Sequence, residues 1–306
     1  MQLIYEGKDI YNDVSINQCI YDSFGEQRTD TLKILFNNTK DTWDDWKPQK
    51  GDMIRAILGA CDTGDMYVAS VKPENGLICL RANSIPDNYN DKKNKSWEFV
   101  TFKQLCKEIA DRHGLSCEFY GVENHTYQYV NQQNYEDFMF LEERCVLEGC
   151  SFLVYDNRLV VYSENFIESG KSDEELIITN DVKFDYVDES KEAYGTCTVK
   201  NGAVIGTYSA DGVAGKVLEK TLSFKVSSQA EANRFAKNLL RFANKKMTRG
   251  VCYSNKYLPG YAAGTLINLT TTGVASWNGP VIMTHVRHDM VKATTKLFFR
   301  KPLEGY

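Results

Sequence analysis

Asp62-Thr63-Gly64 is the first stretch whose residue types suit a reaction. It matches the triplet of aspartic proteases, in which two carboxylates share one proton inside a loop gripped by apolar strands. One triplet per chain would serve such chemistry only in a homodimer. Here it follows Ala60-Cys61, runs at once into Asp65, and falls where a hairpin turn is expected; Asp and Gly are turn residues in their own right. The turn is the preferred reading, and a hydrolytic enzyme, either aspartic-protease-like around Asp62 or a cell-wall hydrolase, is the alternative. His285 and His288 are the closest histidine pair. On a strand, a spacing of three sends them to opposite faces, which argues against a shared metal. His113, just before Gly114, suits a helix C-terminus, and His125 lies near a loop. H-E-x-x-H, G-x-S-x-G and P-loop patterns are absent. Asn201-Gly202 and Asp211-Gly212 read as turns. The adjacent carboxylates Glu142-Glu143 and Glu174-Glu175 diverge into solvent. No residue is therefore assigned as catalytic, cofactor-binding or metal-ligating, and no cofactor is expected.

Lys237, Arg241, Lys245, Lys246 and Arg249 form a basic series that could follow phosphates. No base-stacking aromatics are interleaved with it, so an ordinary amphipathic helix is the simpler account. The nine cysteines include no C-x-x-C pair, which argues against zinc ribbons and redox motifs. Most sit among apolar neighbours, as in Ile78-Cys79-Leu80, and read as free buried thiols of a protein made in a reducing cytoplasm. The N-terminal residues contain no basic segment followed by an apolar run, so no signal peptide is expected.

The elements that carry these residues fall into three groups. Short strands come first, as in Thr31–Phe36, Met53–Leu58, Met66–Val71 and Leu77–Ala82, with turns around Asn37–Lys40, Trp43–Asp52, Asp62–Asp65 and Pro73–Gly76. This spacing predicts a small antiparallel barrel or sandwich. A polar loop over 83–97, with the run Asp91–Lys95, marks a boundary. A helix then begins at Thr101, with Gln104 completing a capping box and Gly114 at the C-terminal end. A second helix is expected from about Asn134 to Gly149. The hairpin Ser151–Tyr155/Arg158–Tyr162 turns at Asp156-Asn157. The acidic stretch 165–175 marks the second boundary. Strands resume over Ile177–Val187 and Tyr194–Val199, Ser228 and Glu231 open the clearest helix, and strands follow over Gly264–Thr270, Val281–His285 and Ala293–Phe299. The expected fold class is mainly β with an α+β insertion: a first barrel over 1–88, an α+β helix-hairpin module over 89–172, and a second, similar barrel over 173–306 carrying a long helix at 228–246. A shared turn-Gly-polar-strand cadence in Lys50–Ile57 and Ala263–Leu269 hints at an internal duplication.

The 306 residues carry a net charge of −5. Their composition excludes a disordered chain, a collagen or a coiled coil, and no apolar run approaches the roughly 18 residues of a membrane span. The charge is split. Residues 1–180 hold 18 Lys/Arg against 31 Asp/Glu, and residues 181–306 hold 18 against 10, balances of −13 and +8. Such asymmetry suits a protein with differently charged neighbours.

An ordered series of features joins these segments: Thr29–Ile34; Trp46, Pro48 and Lys50-Gly51-Asp52; Gly64–Val68; Trp97; Phe102 to Leu115; Gln132 to Arg144; Leu159–Tyr162; the Ala-rich helix 231–243; and Pro259-Gly260-x-x-x-Gly264-Thr265-Leu266-Ile267. In this order the chain resembles the phage late control D family, the baseplate hub proteins of contractile phage tails and of R-type, phage-tail-like bacteriocins. The resemblance implies a structural, non-enzymatic hub: a homotrimer whose six barrels form a ring, adapting a six-fold tail tube to a three-fold central spike. It implies contacts with a tube or tube-initiator protein, with the spike and with baseplate wedge proteins. Because the chain stops at Tyr306, any peptidoglycan hydrolase is expected on a separate partner. No nucleic-acid binding and no membrane anchor are required. Assembly in the bacterial cytoplasm and residence in a virion or tail-like particle follow from the same resemblance.

Overall fold

The computed structural model describes residues 1–38, 46–74, 76–86, 91–172, 174–179 and 182–306. Parts of the expected turns at Asn37–Lys40, Trp43–Asp52 and Pro73–Gly76, and of both expected boundaries, lie outside these residues. Alternation of apolar and polar residues builds the first unit. Leu32, Ile34 and Phe36 point inward from one strand while their neighbours stay half-exposed. The strands are β1 (Gln2–Tyr5), β2 (Lys8–Asp9), β3 (Ile16–Phe24), β4 (Thr31–Asn37), β5 (Met53–Leu58), β6 (Cys61–Asp62), β7 (Met66–Glu74) and β8 (Leu77–Asn83). They pair in the order β3-β4-β8-β7-β5-β1-β2 around a core that includes Leu3, Ile34, Phe36, Ile54, Met66 and Leu80.

The middle unit opens with β9 (Lys92–Thr101), α1 (Phe102–Arg112), β10 (Ser116–Tyr120) and β11 (Thr126–Glu136). It continues with α2 (Asp137–Leu147), β12 (Cys150–Tyr155), β13 (Arg158–Ser163) and α3 (Glu164–Glu168). Two expectations are corrected here. The polar run read as a loop up to residue 97 is the start of β9, because its antiparallel pairing with β11 satisfies the backbone while Trp97 and Val100 supply the buried face. The second helix begins at Asp137 rather than near Asn134, because residues 126–136 extend β11. Thr101 and Gln104 form the expected reciprocal capping box. Asp156 and Asn157 both adopt positive φ, 48° and 59°, as a two-residue hairpin turn requires.

The last unit contains β14 (Glu175–Ile178), β15 (Lys183–Asp188), β16 (Tyr194–Asn201), β17 (Val204–Ser209) and β18 (Lys216–Thr221). After these come α4 (Gln229–Asn244), β19 (Thr248–Ser254), β20 (Leu266–Thr271), β21 (Gly279–Asp289) and β22 (Thr294–Arg300). Five of these strands pair as β15-β19-β22-β21-β20, all antiparallel, as β3-β4-β8-β7-β5 do in the first unit. The match extends to single residues. Gly51 N–H donates to the Val68 carbonyl and Val68 N–H to that of Asp52; Gly264 N–H donates to Met283 and Met283 N–H to Thr265 in the same way. A register shift follows one residue later in both, after Val68 and after Met283. The cadence around Gly51 and Gly264 is thus one turn used twice, and both glycines need φ near +90°, +93° and +83°.

The fold is mainly β with two similar barrel units and an α+β insertion. The helix grouped with the second barrel from sequence departs from that plan. Phe235, Ala236 and Leu240 of α4, with Cys197 and Val199 of β16, join the hydrophobic core of the middle unit. Gly206 of β17 lets α4 approach so closely that a Cβ there would overlap Ala232. Among the described residues, no helix is long and apolar enough to cross a membrane.

Candidate assembly interface

The residues that suggested chemistry are used as fasteners. Asp62 is gripped by Arg55 through two hydrogen bonds, Nε to Oδ1 at 2.8 Å and Nη2 to Oδ2 at 2.6 Å, and accepts a third from Gly64 N–H. Burial acts to raise its carboxyl, but the Arg55 bonds outweigh that and hold it below the usual range. A carboxylate kept ionised by a fork of N–H donors is unlike one sharing a proton with a second acid. Arg55 also reaches Asp65 and Asp156, so the triplet ties the first barrel to the β12–β13 turn.

His285 and His288 do face opposite sides of β21. His285 bonds Asp22 at 2.6 Å and lies stacked between Phe24 and Phe298. His288 is buried and bonds Thr295. His113 caps α1 and reaches Asp137 at 3.1 Å; His125 bonds Glu123. All nine cysteines are free, and all but Cys117 are buried. Among the described residues, no cluster of His, Cys, Asp and Glu could hold a metal ion. Of the basic series, Arg241 and Lys245 are buried and Arg249 pairs with Glu189. The five cations therefore do not form one exposed stripe.

Sequence reasoning missed the strongest polar feature. Glu26 (after β3), Glu164 and Glu168 (α3), Arg241 (α4), Lys245 (just after α4) and Arg300 (the end of β22) form a buried network of three carboxylates and three cations. Arg300 Nε meets Glu26 at 2.8 Å and its Nη1 meets Glu168 at 2.8 Å; Lys245 Nζ meets Glu164 at 2.6 Å. Burial pushes the Glu26 carboxyl up, and Lys245 with Arg300 outweighs that and holds it down at about 2. The network joins both barrels to the middle unit. The only clue available in sequence was charge inside otherwise apolar stretches, as at Arg300 after Leu297-Phe298-Phe299.

The two barrels share one sheet. β21 pairs antiparallel with β3, from His285 opposite Phe24 to Asp289 opposite Ile20. Asp22 crosses this seam to His285 and to Arg287, whose Nε lies 2.6 Å away. Gly25, one residue beyond β3, sits so close to Gly264 that a Cβ would stand 2.3 Å from its nitrogen. A cleft of about 470 Å³ remains where the barrels meet the middle unit, lined in part by Tyr21, Asp30, Cys61, Tyr155, Tyr261 and His288. Burial pushes Asp30 up to about 7, against the hydrogen bonds from Tyr21 and Phe24 N–H, and pulls His288 down to about 4. The joined sheet ends on β15, where Tyr186 and Val187 are exposed.

No family model and no curated protein sequence matches the chain. Its fold does match solved structures. A tail protein from Neisseria meningitidis MC58 superposes with a TM-score of 0.74 at 11 % identity, over 98 % of this chain and 95 % of that one. The prophage MuSo2 43 kDa tail protein from Shewanella oneidensis gives 0.72 at 10 % identity, over 98 % and 97 %. The E. coli c3393 protein gives 0.61 at 14 % identity, over 100 % of this chain and 79 % of that one; it is described as a type VI secretion component with structural similarity to the T4 tail proteins gp27 and gp5. The chain thus has a fold found in phage tail proteins along nearly its whole length.

Proposed function

We propose that the chain is a structural, non-enzymatic hub of a phage baseplate or a related injection particle, of the late control D type. It would assemble as a homotrimer whose six barrels form a ring between a six-fold tube and a three-fold spike. The observation that carries this reading is the repeat of five strands, in the same order and with the same register shift, within one chain. Three copies of a duplicated barrel present six near-equivalent units under three-fold symmetry. The likeness to tail proteins and to a protein resembling gp27 and gp5 supports the same role. Units near 1–88, 89–172 and 173–306 belong to this reading, with α4 as the strut that carries the third unit into the core of the second. Tube, spike and wedge proteins and a separate peptidoglycan hydrolase are the proposed partners. Light scattering on the purified protein should give three times the 34.9 kDa of one chain, and images should show a ring with a central pore. A dimer with proteolytic activity lost in Asp62→Asn would overturn the reading in favour of the hydrolase.

A further inference from the structure

We infer that β7 of one chain pairs with β15 of a second copy, repeating between chains the seam that β21 and β3 make within one. The inference takes its partner, another copy of this chain, from the ring reading and adds the contact and its register.

Strand equivalence supplies the argument. β7 is the counterpart of β21, and β15 that of β3. In β21, the segment His285–Asp289 is paired on both sides, with β22 and with β3. Among the described residues, its counterpart in β7, Ser70–Glu74, is paired only with β8. Likewise β3 is paired on both sides, with β4 and β21, whereas β15 is paired, among the described residues, only with β19. The chain therefore carries one completed seam and, on β7 and β15, the two unmatched halves of a second. Carrying the internal register across places Ser70 opposite Glu189, Val71 opposite Asp188, Lys72 opposite Val187, Pro73 opposite Tyr186 and Glu74 opposite Asp185.

Side chains at the open edges fit this placement. Tyr21 of β3, beside β21, is 4 % exposed, and its counterpart Tyr186 on the open edge of β15 is 48 % exposed. Lys72 has no ion-pair partner among the described residues. In the proposed register it stands diagonally between Asp185 and Glu189 on one face, within reach of a lysine. Glu74 opposite Asp185 is a like-charged pair, but each already has a cation: Lys33 and Arg81 at Glu74, and Lys183 at Asp185. Pro73 shortens the ladder by one donor. In the internal seam Gly25 N–H donates to Thr284 and Met290 N–H to Cys19, so the even-numbered residues of β21 face β3. Their β7 counterparts are the odd-numbered residues, Pro73 among them. The lost bond limits this seam relative to the internal one and disfavours longer edge-to-edge pairing.

The test is disulfide trapping. Lys72 and Val187 would form a non-hydrogen-bonded pair, whose Cα atoms stand about 4.5 Å apart, within disulfide range. The double variant Lys72→Cys/Val187→Cys should, on mild oxidation, give covalent multimers for more than about half of the chains, and Lys72→Cys/Tyr186→Cys, whose thiols lie on opposite faces, should give fewer than about one in ten. Each single variant should stay monomeric on a non-reducing gel, since nearly all native thiols are buried. Tyr186→Glu should weaken assembly at least about tenfold while leaving the circular dichroism of the chain unchanged. If light scattering gives a trimer but the in-register pair traps no more than the control, the seam is wrong and the ring stands. A chain that remains monomeric at all concentrations overturns both.

Discussion

Arg300 keeps its charge where almost no water reaches it, because three carboxylates surround it. Removing one member of such a network leaves the others buried and uncompensated. Arg300→Met should therefore cost about 3–5 kcal/mol in urea unfolding; a loss within about 1 kcal/mol would mean that the network does not tie the units together. Asp30 and His288 make a second prediction at this scale. Asp30 binds its proton near pH 7 when folded and near 3.8 when unfolded, so its stabilisation is complete below 3.8 and is lost as pH rises through 7. His288 titrates near 4 folded against 6.5 unfolded, so its contribution is present above 6.5 and lost as pH falls through 4. The two trends oppose each other over nearly the same window. Asp30→Asn removes the first. The variant should gain on the parent by about 2–3 kcal/mol as pH rises from 5 to 7.5, and a pH-independent difference in unfolding midpoints would contradict this. None of this was readable from spacing. Glu26 and Arg300 lie 274 positions apart, and neither is marked by a local motif.

At the scale of elements, local signals were read well where one element decides its own fate. Thr101 with Gln104, the Asp156-Asn157 turn and Ser228 with Glu231 all act within a few residues. Ser228 Oγ accepts from Glu231 N–H, while the Glu231 carboxylate accepts from Ser227 N–H. Ser228→Ala should cost about 1 kcal/mol, measured by thermal or urea unfolding. Strands β9 and β11 escaped notice because each is exposed along much of its length and is held by the other. The place of α4 was equally unreadable. An apolar stripe says that a face is buried, not against which neighbour. Because α4 completes the core of the middle unit, deleting 228–246 should unfold that unit, beyond any effect on assembly. The barrel seam gives a cleaner probe: Gly25→Ala would drive a methyl group into the Gly264 backbone, at a cost of about 1–3 kcal/mol or more.

For the whole molecule, the net charge of −5 conceals acidic and basic halves, which the ring reading assigns to different neighbours. The edges proposed to meet carry local charges of the opposite sense: Lys72 lies in the acidic half, and Asp185 and Glu189 in the basic one. Assembly should accordingly weaken with salt through these few residues, and a trimer whose dissociation is indifferent to salt between low and molar concentrations would remove the electrostatic part of the proposal. By itself the sequence determined the mainly β class, the caps at Thr101 and Ser228, the Asp156-Asn157 turn, and the repeated Gly51/Gly264 cadence. These follow from period, capping and turn chemistry, which act over a few residues. Only the tertiary structure decided that the repeat extends to five strands and a shared register shift, that β21 and β3 fuse the barrels into one sheet, and that six scattered charges meet in one buried cluster. Those features depend on pairing between residues far apart in the chain, and no local pattern encodes which distant strand or charge will arrive.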